Sequence, residues 1–362
     1  MKKTLKVALY ILLALVLIVL AYVIYVFAAY YRVEDMQKLG VAHCDAASAA
    51  PMEGAPQTGV TYRVSSANVG FGAYSADYSF FMDGGTSSWA ESPETVQYAI
   101  NGAGELVKSL DPDFALIQEI DLDATRSYHT DEYEMLRNIL PEYTTVFAQN
   151  YDSAFLFYPF TQPHGSSRAG LGLFSKYPVS SALRRSFPIS TSFSKFFDLD
   201  RCYSVSRIPV DNGKELVIFN LHMSAYGNSD EIRKGQIEML CNDMAKEYEA
   251  GNYVLCGGDF NHDLKASEED AESCESWAFP FPRSDLPEHF TFCLDLLTEE
   301  EQAALWNSAR NADMEYVPGV TYTVTLDGFI ISDNIECLSY ENVNTGYSYS
   351  DHDPVKVEFM LK

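Results

Sequence analysis

Acidic, amide and histidine side chains recur directly after apolar stretches along this 362-residue sequence. They form five groups: Asn68, Gln118-Glu119, Asn220-Leu221-His222, Asp259-Phe260-Asn261 and Ser350-Asp351-His352-Asp353. A carboxylate at the end of a buried strand costs several kcal/mol unless another charge compensates it. When such groups follow successive strands, they predict a shared cleft that holds a cation and an anionic ligand.

The donor types in these groups indicate which cation the cleft would hold. Oxygen ligands without neighbouring thiolates favour Mg²⁺, with Mn²⁺ or Ca²⁺ as alternatives, over zinc. The two histidines, His222 and His352, suit proton transfer or hydrogen bonding to a substrate better than metal ligation. The residues therefore predict metal-assisted hydrolysis, with phosphoryl transfer as the leading reaction class.

Apolar runs that alternate with helical patterns would position these groups. Ten runs read as strands, at 61–71, 113–120, 143–150, 153–160, 169–179, 202–210, 215–224, 252–260, 326–332 and 354–360. Helix start signals stand at Ser92-Pro93, at Ser229-Asp230 before a helix to Glu249, and at Thr298, where a capping box precedes 303–310. About 300 residues of this pattern predict one α/β domain of two packed sheets flanked by helices.

The order of these motifs resembles the endonuclease/exonuclease/phosphatase superfamily. The match covers residues 61–362 and runs through Asn68, Gln118-Glu119, 170–178, Asn220-Leu221-His222, Gly258-Asp259-Phe260-Asn261, 326–330 and Ser350-Asp351-His352. The resemblance implies a four-layered α/β sandwich with two central mixed β-sheets. Within the superfamily, the chain resembles a bacterial-type member that is anchored to the membrane at its N-terminus. The family includes nucleases, inositol-polyphosphate phosphatases and sphingomyelinases.

The resemblance also implies roles at the proposed metal and water positions. Glu119 would be the principal metal ligand, with Asn68 beside it. Asp351 would contact the metal or organise the histidine that follows it. Asp259 would orient or deprotonate the attacking water, and Asn261 would donate its side-chain amide to a phosphate oxygen.

For the remaining members of the site, the resemblance implies contacts with the reacting phosphate. His352 would be the general base or an electrostatic partner, and Asp327 would fix its tautomer. Leu326 and Gly328 depart from the family's pattern around that aspartate, and an ordinary turn is the alternative interpretation. His222 would hydrogen-bond the negative charge that develops on the phosphate and would bind substrate.

Loop residues supply weaker candidates for substrate binding. Arg126, His129 and Arg168 could clamp an anion, or they could serve surface solubility. The aromatic residues within 70–85 could wall the cleft or simply pack in the core, and the acidic run 267–275 is expected to be a solvated loop.

The N-terminal segment has the composition of a membrane span. No charged residue occurs from Val7 to Tyr31, which exceeds the roughly 20 residues that a bilayer requires. Lysines precede the segment, so the positive-inside rule places residue 1 in the cytoplasm and the rest of the chain outside. We expect a cytoplasmic tip and transmembrane helix (1–32), a juxtamembrane linker (33–60) and a catalytic domain (61–362). The alternative is a cleaved signal peptide, which would release a secreted enzyme.

Charge and cysteine content limit the partners. The chain carries a net charge of −26. Its first 32 residues hold four basic and no acidic side chains, so the remainder carries −30. Such a surface disfavours stable nucleic-acid binding. The seven cysteines, Cys44, Cys202, Cys241, Cys256, Cys274, Cys293 and Cys337, show no metal-binding spacing and are expected to be small buried side chains.

These observations favour an exported, membrane-tethered, Mg²⁺-dependent phosphoester hydrolase, with phosphodiesters the favoured substrates. Lipid headgroups and small metabolites are the expected phosphoesters, since a tether holds the cleft near the membrane surface. A non-catalytic binding module on the same fold and a nuclease acting on extracellular DNA are the alternatives.

Overall fold

A computed structural model describes residues 2–42, 54–196, 199–225, 230–267 and 277–362 of the chain. Within these ranges it contains five α-helices, α1 (Lys2–Ala29), α2 (Pro93–Ser109), α3 (Glu132–Ile139), α4 (Asp230–Glu249) and α5 (Glu299–Ala304). Four features of the sequence lie outside the described residues: the expected cap at Ser229, Cys44, Cys274 and nearly all of the acidic run 267–275.

Sixteen strands are formed by the described residues, and fourteen of them build two seven-stranded sheets. The first sheet has the order β1 (Gln37–Leu39), β7 (Ser181–Ser186), β8 (Cys202–Pro209), β9 (Glu215–His222), β10 (Tyr253–Asp259), β14 (Asp327–Ser332) and β11 (Phe290–Phe292). The second has the order β15 (Ile335–Asn342), β16 (Val355–Leu361), β3 (Thr61–Asn68), β4 (Phe114–Ala124), β6 (Gly165–Ser175), β5 (Thr144–Leu156) and β2 (Val41–Ala42). A short pair, β12 (Ala309–Arg310) and β13 (Thr323–Val324), stands apart.

The two sheets pack face to face, and helices cover their outer faces. Helices α2 and α3 contact the second sheet, α4 contacts the first, and β10 contacts β3 and β4 across the centre. Every residue of the central strand β10 is buried, whereas β16 alternates buried with half-buried residues. The expected four-layered α/β sandwich, preceded by one long apolar helix, is confirmed.

Local signals in the sequence predicted most of the helices and strands, but not always the residues at which they begin and end. Ser92 caps α2 by accepting a hydrogen bond from Thr95 N, as expected. The run 143–150 and the first part of the run 153–160 form one strand, β5 (Thr144–Leu156), which has two bulges against β6. The helix expected over 303–310 ends at Ala304.

Cysteines within the described residues fit the expected packing role. Cys202, Cys241, Cys256 and Cys293 are buried, and Cys337 is half-buried. They behave as small apolar side chains of the core.

The segment expected to be a linker is partly built into the sandwich. Strand β1 pairs with β7 of the first sheet, and β2 pairs with β5 of the second. The expectation of a free linker over the whole of 33–60 is therefore wrong for 37–42. Strands of two or three residues are too short to show a periodic pattern in the sequence. Their pairing therefore depends on tertiary contacts and not on local propensity.

One buried arginine holds this segment to the domain. Arg184 is fully buried, and its guanidinium donates to the carbonyl oxygens of Gln149 (2.6 Å), Glu34 (3.1 Å), Val33 (3.3 Å) and Asp200 (3.0 Å). A guanidinium offers five donors in a rigid planar fork, so one side chain can join four chain segments.

Replacing Arg184 by methionine is expected to lower the free energy of unfolding by about 3 kcal/mol, because buried carbonyl oxygens lose their donors. Unfolding of the full chain by urea in detergent micelles measures the change. The matched control is Arg168→Met. Its arginine is half-exposed and paired with Asp123, so the loss there should stay below about 1 kcal/mol. Equal losses in the two variants would contradict the role of Arg184.

Candidate active site

A cleft of about 980 Å³ opens where the carboxyl ends of several strands meet. Parallel pairing of β3 with β4 places Asn68 beside Gln118. Parallel pairing of β10 with β9 places Asp259 beside His222, and antiparallel pairing with β14 places it beside Asp327. The two sheets therefore deliver their terminal polar residues to one edge of the sandwich.

Glu119 reaches the cleft through an irregularity in its strand. The pairing of β4 with β6 shifts register between Ile117 and Ile120, and Glu119 adopts a left-handed conformation with φ of 57°. Strand β4 thus continues past the point at which the sequence suggested that it ends. The bulge turns the carboxylate away from its regular face and toward the other acidic residues.

Asn68 lies between the two central carboxylates. Its amide nitrogen is 3.1 Å from Glu119 Oε1 and 3.0 Å from Asp259 Oδ2, while its oxygen accepts from Gly70 N. In this orientation Asn68 donates to the carboxylates instead of presenting an oxygen to a cation. Asn68 thus lies beside the candidate metal ligands, and ligation of the cation by Asn68 itself stays a prediction.

Three side chains offer ligand atoms to a single point. Glu119 Oε1, His222 Nε2 and Asp259 Oδ2 all lie within 4.8 Å of one another. Two converging carboxylates, one of them buried, suit a hard divalent cation, because the cation's charge would offset the cost of removing them from water. The residues therefore fit a metal site. Asp351 lines the same cleft and lies close to Ser350 Oγ (3.3 Å).

His352 is held by a buried carboxylate behind the cleft. Its Nδ1 donates to Asp327 Oδ2 at 2.7 Å, and its Nε2 faces Asp259 Oδ2 at 3.9 Å. Ser308 Oγ donates to the same Asp327 oxygen at 2.8 Å. This arrangement agrees with the expected role of Asp327, since the carboxylate fixes which ring nitrogen faces the cleft.

The two histidines differ in charge because their surroundings differ. Burial lowers the pKa of His222 well below its ordinary value, and the nearby charge of Arg201 lowers it further. Burial also opposes protonation of His352, but Asp327 and Asp259 outweigh it and raise the pKa of His352 well above its ordinary value. These surroundings therefore favour the neutral form of His222 and the imidazolium form of His352. Of the two roles expected for His352, this state favours the electrostatic partner over the general base.

The acidic residues of the cleft are harder to ionise than free carboxylates. Burial is the largest cause of the rise in the pKa of Asp259 to about 7, and the charge of Asp327 adds to it. Burial likewise raises the pKa of Asp351 to about 6. A divalent cation bound beside these groups would favour their ionised forms.

Asn261 follows the last acidic residue of β10 at a tight turn. Its backbone is left-handed, with φ of 50°, and its backbone N–H donates to Asp259 Oδ1 at 2.9 Å. Its side-chain amide donates to Met223 O at 2.9 Å and borders the cleft. The turn fixes Asp259 and keeps an amide group at the cleft surface.

The arginines expected to clamp an anion occupy different environments. Arg126 is buried, forms a two-bond ion pair with Asp121 (3.0 and 2.8 Å), and borders the cleft. Arg168 and His129 pair with the exposed Asp123, at 3.1 and 2.6 Å. Neither belongs to the residues that line the cleft, and substrate binding by Arg168 stays a prediction.

Several residues of the cleft carry no signal in the sequence. Arg201 donates to His222 Nε2, and Arg310 lines the cleft from a segment expected to be helical. Ser308 reaches Asp327 from the same segment. Their positions follow from strand pairing, such as that of Cys202 with His222, which no local pattern reveals.

Aromatic and apolar side chains form the walls of the cleft. Within 70–85, Tyr74, Phe80, Phe81 and Met82 line the cleft, while Tyr74 and Phe80 also belong to a buried core cluster, so wall and core packing both apply here. The other aromatic and large apolar side chains that line the cleft are Tyr151, Leu156, Tyr158, Leu199, Trp277 and Leu326. The site thus combines a charged floor with an apolar mouth, a combination typical of pockets that orient a ligand by few polar contacts.

The sequence matches the model of the endonuclease/exonuclease/phosphatase family over residues 65–295. The chain belongs to this family. No curated protein sequence shows significant similarity to it.

Solved structures with a similar fold include family members from two Bacteroides species. The protein from Bacteroides vulgatus is 17% identical, with a TM-score of 0.55 over 84% of this chain and 100% of that one. The protein from Bacteroides thetaiotaomicron is 16% identical, with a TM-score of 0.54 over 84% and 98%. TDP2 from D. rerio, solved with a single-stranded DNA product, is 14% identical, with a TM-score of 0.52 over 83% and 98%. At these identities the likeness concerns the fold.

Removing the carboxylate behind His352 tests the electrostatics of the site. In Asp327→Asn the pKa of His352 is expected to fall, because the negative neighbour that favoured the imidazolium is gone. Titration of the histidine ring signals by NMR, with the full chain in detergent and EDTA, measures the shift. The control Asp333→Asn removes the partner of the exposed His289 and should leave the His352 titration unchanged. An unchanged His352 titration in Asp327→Asn would contradict the assignment.

Proposed function

We propose that the protein is an exported, membrane-tethered hydrolase of phosphoesters, with phosphodiesters the favoured substrates and a divalent cation, Mg²⁺ first, as cofactor. The observation that carries this proposal is the convergence of Glu119, Asp259 and His352 around one point of the cleft. Residues far apart in the sequence meet there with opposite charges, as hydrolysis of an anionic ester requires.

Glu119 and Asp259 would hold the cation, with His222 next to them. A bound Mg²⁺ supplies Lewis-acid stabilisation of negative charge on the phosphate and its leaving oxygen. Asp351 lies in the same cleft and would help to neutralise the cation.

The side chains of the site supply the remaining chemistry. Asp259 orients the attacking water and accepts its proton as a general base. The imidazolium of His352, held by Asp327, lies against a non-bridging phosphate oxygen and stabilises the charge that develops there. His222 would donate a hydrogen bond to an oxygen of the same phosphate, and Arg201 lies beside its ring.

The charge of the protein favours lipid headgroups or small metabolites over DNA. With −30 on the residues after Arg32, the surface repels a long polyanion, although a single phosphate can enter a pocket lined by Arg126, Arg201 and Arg310. The similarity to a DNA-bound TDP2 is a similarity of fold. A non-catalytic binding module is disfavoured because the acidic residues, the amides and both histidines remain together.

The structure of the N-terminus supports tethering. Helix α1 is long and apolar enough to cross a membrane. Its end contacts the catalytic domain, with Val26 buried and Tyr22 bonded to the carbonyl of Phe155. We infer from these contacts that the helix is retained and not cleaved, and that 61–362, extended by the strands at 37–42, is the catalytic domain outside the membrane.

Hydrolysis of bis-p-nitrophenyl phosphate by the full chain in detergent with Mg²⁺ tests the activity. His352→Ala is expected to lower kcat by about a thousandfold, because transition-state charge loses its partner. The matched control is His289→Ala, which removes an exposed histidine paired with Asp333 and should retain the wild-type rate. If wild type and His352→Ala are equally inert across phosphomonoesters and phosphodiesters, the proposal fails. Phosphate release from monoesters would identify a phosphatase.

Metal dependence is tested by chelating the metal and by replacing one carboxylate of the site. EDTA is expected to abolish hydrolysis, and Mg²⁺ or Mn²⁺ to restore it. Glu119→Gln should raise the Mg²⁺ concentration for half-maximal rate by about tenfold to a hundredfold, because a charged ligand is lost. Glu134→Gln, which removes an exposed carboxylate paired with Arg137, is the control and should leave that concentration unchanged. Full activity in EDTA would exclude a metal mechanism.

A further inference from the structure

A loop rich in exposed aromatic side chains borders the cleft. We call residues 157–160, which follow β5, the rim loop. The exposed fractions of its side chains are 51% for Phe157, 63% for Tyr158 and 86% for Phe160. Large apolar side chains grouped on a surface mark a contact with another apolar phase or with a partner.

The rim loop lies directly against helix α1. Tyr22 Oη donates to Phe155 O (3.2 Å) and accepts from Phe157 N (3.3 Å), and Phe155 N donates to Tyr25 Oη (3.1 Å). The rings of Tyr22 and Phe157 meet edge to face with their centroids 5.2 Å apart. The position of the rim loop along the helix axis is therefore that of Tyr22.

This position lies inside a membrane that the helix spans. At about 1.5 Å per residue, Val7 to Tyr22 covers only about 22 Å, whereas the hydrocarbon core is about 30 Å thick. Lys6 precedes this stretch and sets its cytoplasmic end. With the helix along the membrane normal, Phe157 is then about 8 Å below the outer edge of the hydrocarbon.

Contacts beyond the helix hold the domain in this orientation. Arg32 donates to Phe187 O (3.1 Å) and lies 3.7 Å from Asp200. Arg184 binds the carbonyl oxygens of Val33 and Glu34, and β1 and β2 then join the two sheets. The domain therefore cannot turn freely about a flexible tether.

One residue of the rim loop, Tyr158, also borders the cleft. Tyr158 and Leu156 line the cleft, and the rings of Tyr158 and Phe81 lie 5.9 Å apart. Met82, which is 54% exposed, lines it as well. An apolar mouth thus leads from the level of the rim loop to the charged floor.

We propose that the rim loop is embedded in the outer leaflet and that the cleft takes the headgroup phosphoester of a membrane lipid directly from the bilayer. The aromatic mouth contacts the glycerol or acyl portion, and the phosphate lies in the part of the cleft that Arg126, Arg201 and Arg310 line. This inference rests on the proposed function, which supplies both the membrane span and the hydrolysis.

The variant Phe160→Trp measures how deeply the rim loop lies in the membrane. The full chain is reconstituted in phosphatidylcholine vesicles with and without brominated acyl chains, and the fluorescence of the three native tryptophans is subtracted. Quenching of the added tryptophan is expected. The control is Leu338→Trp, on strand β15 at the edge of the second sheet opposite β5 and β2, where quenching should be absent. Equal quenching of both sites, or of neither, overturns the proposal.

The variant Phe160→Asp tests whether the rim loop helps lipid substrate to reach the cleft. Phe160 itself does not line the cleft. We expect the variant to keep the wild-type rate on bis-p-nitrophenyl phosphate. On vesicles of phosphatidylglycerol and phosphatidylcholine, release of headgroup phosphoester should fall about tenfold, because a charge opposes insertion of the rim loop. Leu338→Asp is the control and should be unchanged on both substrates.

The outcomes separate this inference from the proposed function. A wild-type protein that cleaves bis-p-nitrophenyl phosphate but no vesicle lipid overturns the lipid inference and leaves phosphoester hydrolysis standing. A protein that cleaves neither overturns the proposed function. Equal lipid hydrolysis by wild type and Phe160→Asp overturns the role of the rim loop.

Discussion

The dominant physical constraint on this molecule is the burial of several carboxylates around one point. Asp259 and Asp327 are almost completely buried, and Glu119 faces them from the neighbouring sheet. Isolated charges in such surroundings would be very unfavourable, so each needs a donor or a counter-charge. Asn68 and the His352 imidazolium supply part of that compensation. The remaining negative charge is the reason that we propose a divalent cation as the occupant of the site and phosphoester hydrolysis as its chemistry.

The fold meets this constraint by placing irregular backbone at the ends of regular strands. Glu119 is on a bulge and Asn261 in a left-handed turn. Gly258, with φ of 140°, passes so close to Leu221 O that an added Cβ would lie 2.1 Å from it. Regular strands on either side hold these strained positions, so the acidic side chains point into the cleft without rearrangement.

Because the N-terminal segment is attached to the domain, the rigidity of the site extends to helix α1. Strands β1 and β2 complete one edge of each sheet, and Arg184 closes the connection from the core. In the proposed membrane-tethered enzyme, a cleft that is fixed relative to its helix would have a fixed orientation to the membrane, which a flexible linker would not provide. The acidic surface would then act in water and the aromatic rim loop at the lipid boundary.

The sequence by itself determined the apolar N-terminal helix, the α/β class and the set of polar residues that follow apolar runs, because periodicity and side-chain chemistry are local properties. From the motif order it also indicated the partnership of Asp327 with His352. Tertiary structure alone decided that Arg201 meets His222, that Arg168 lies away from the cleft, and that residues 37–42 become strands. It also placed the rim loop beside Tyr22, 135 residues away. Those positions depend on strand register and on contacts between distant segments, which no short stretch of sequence encodes.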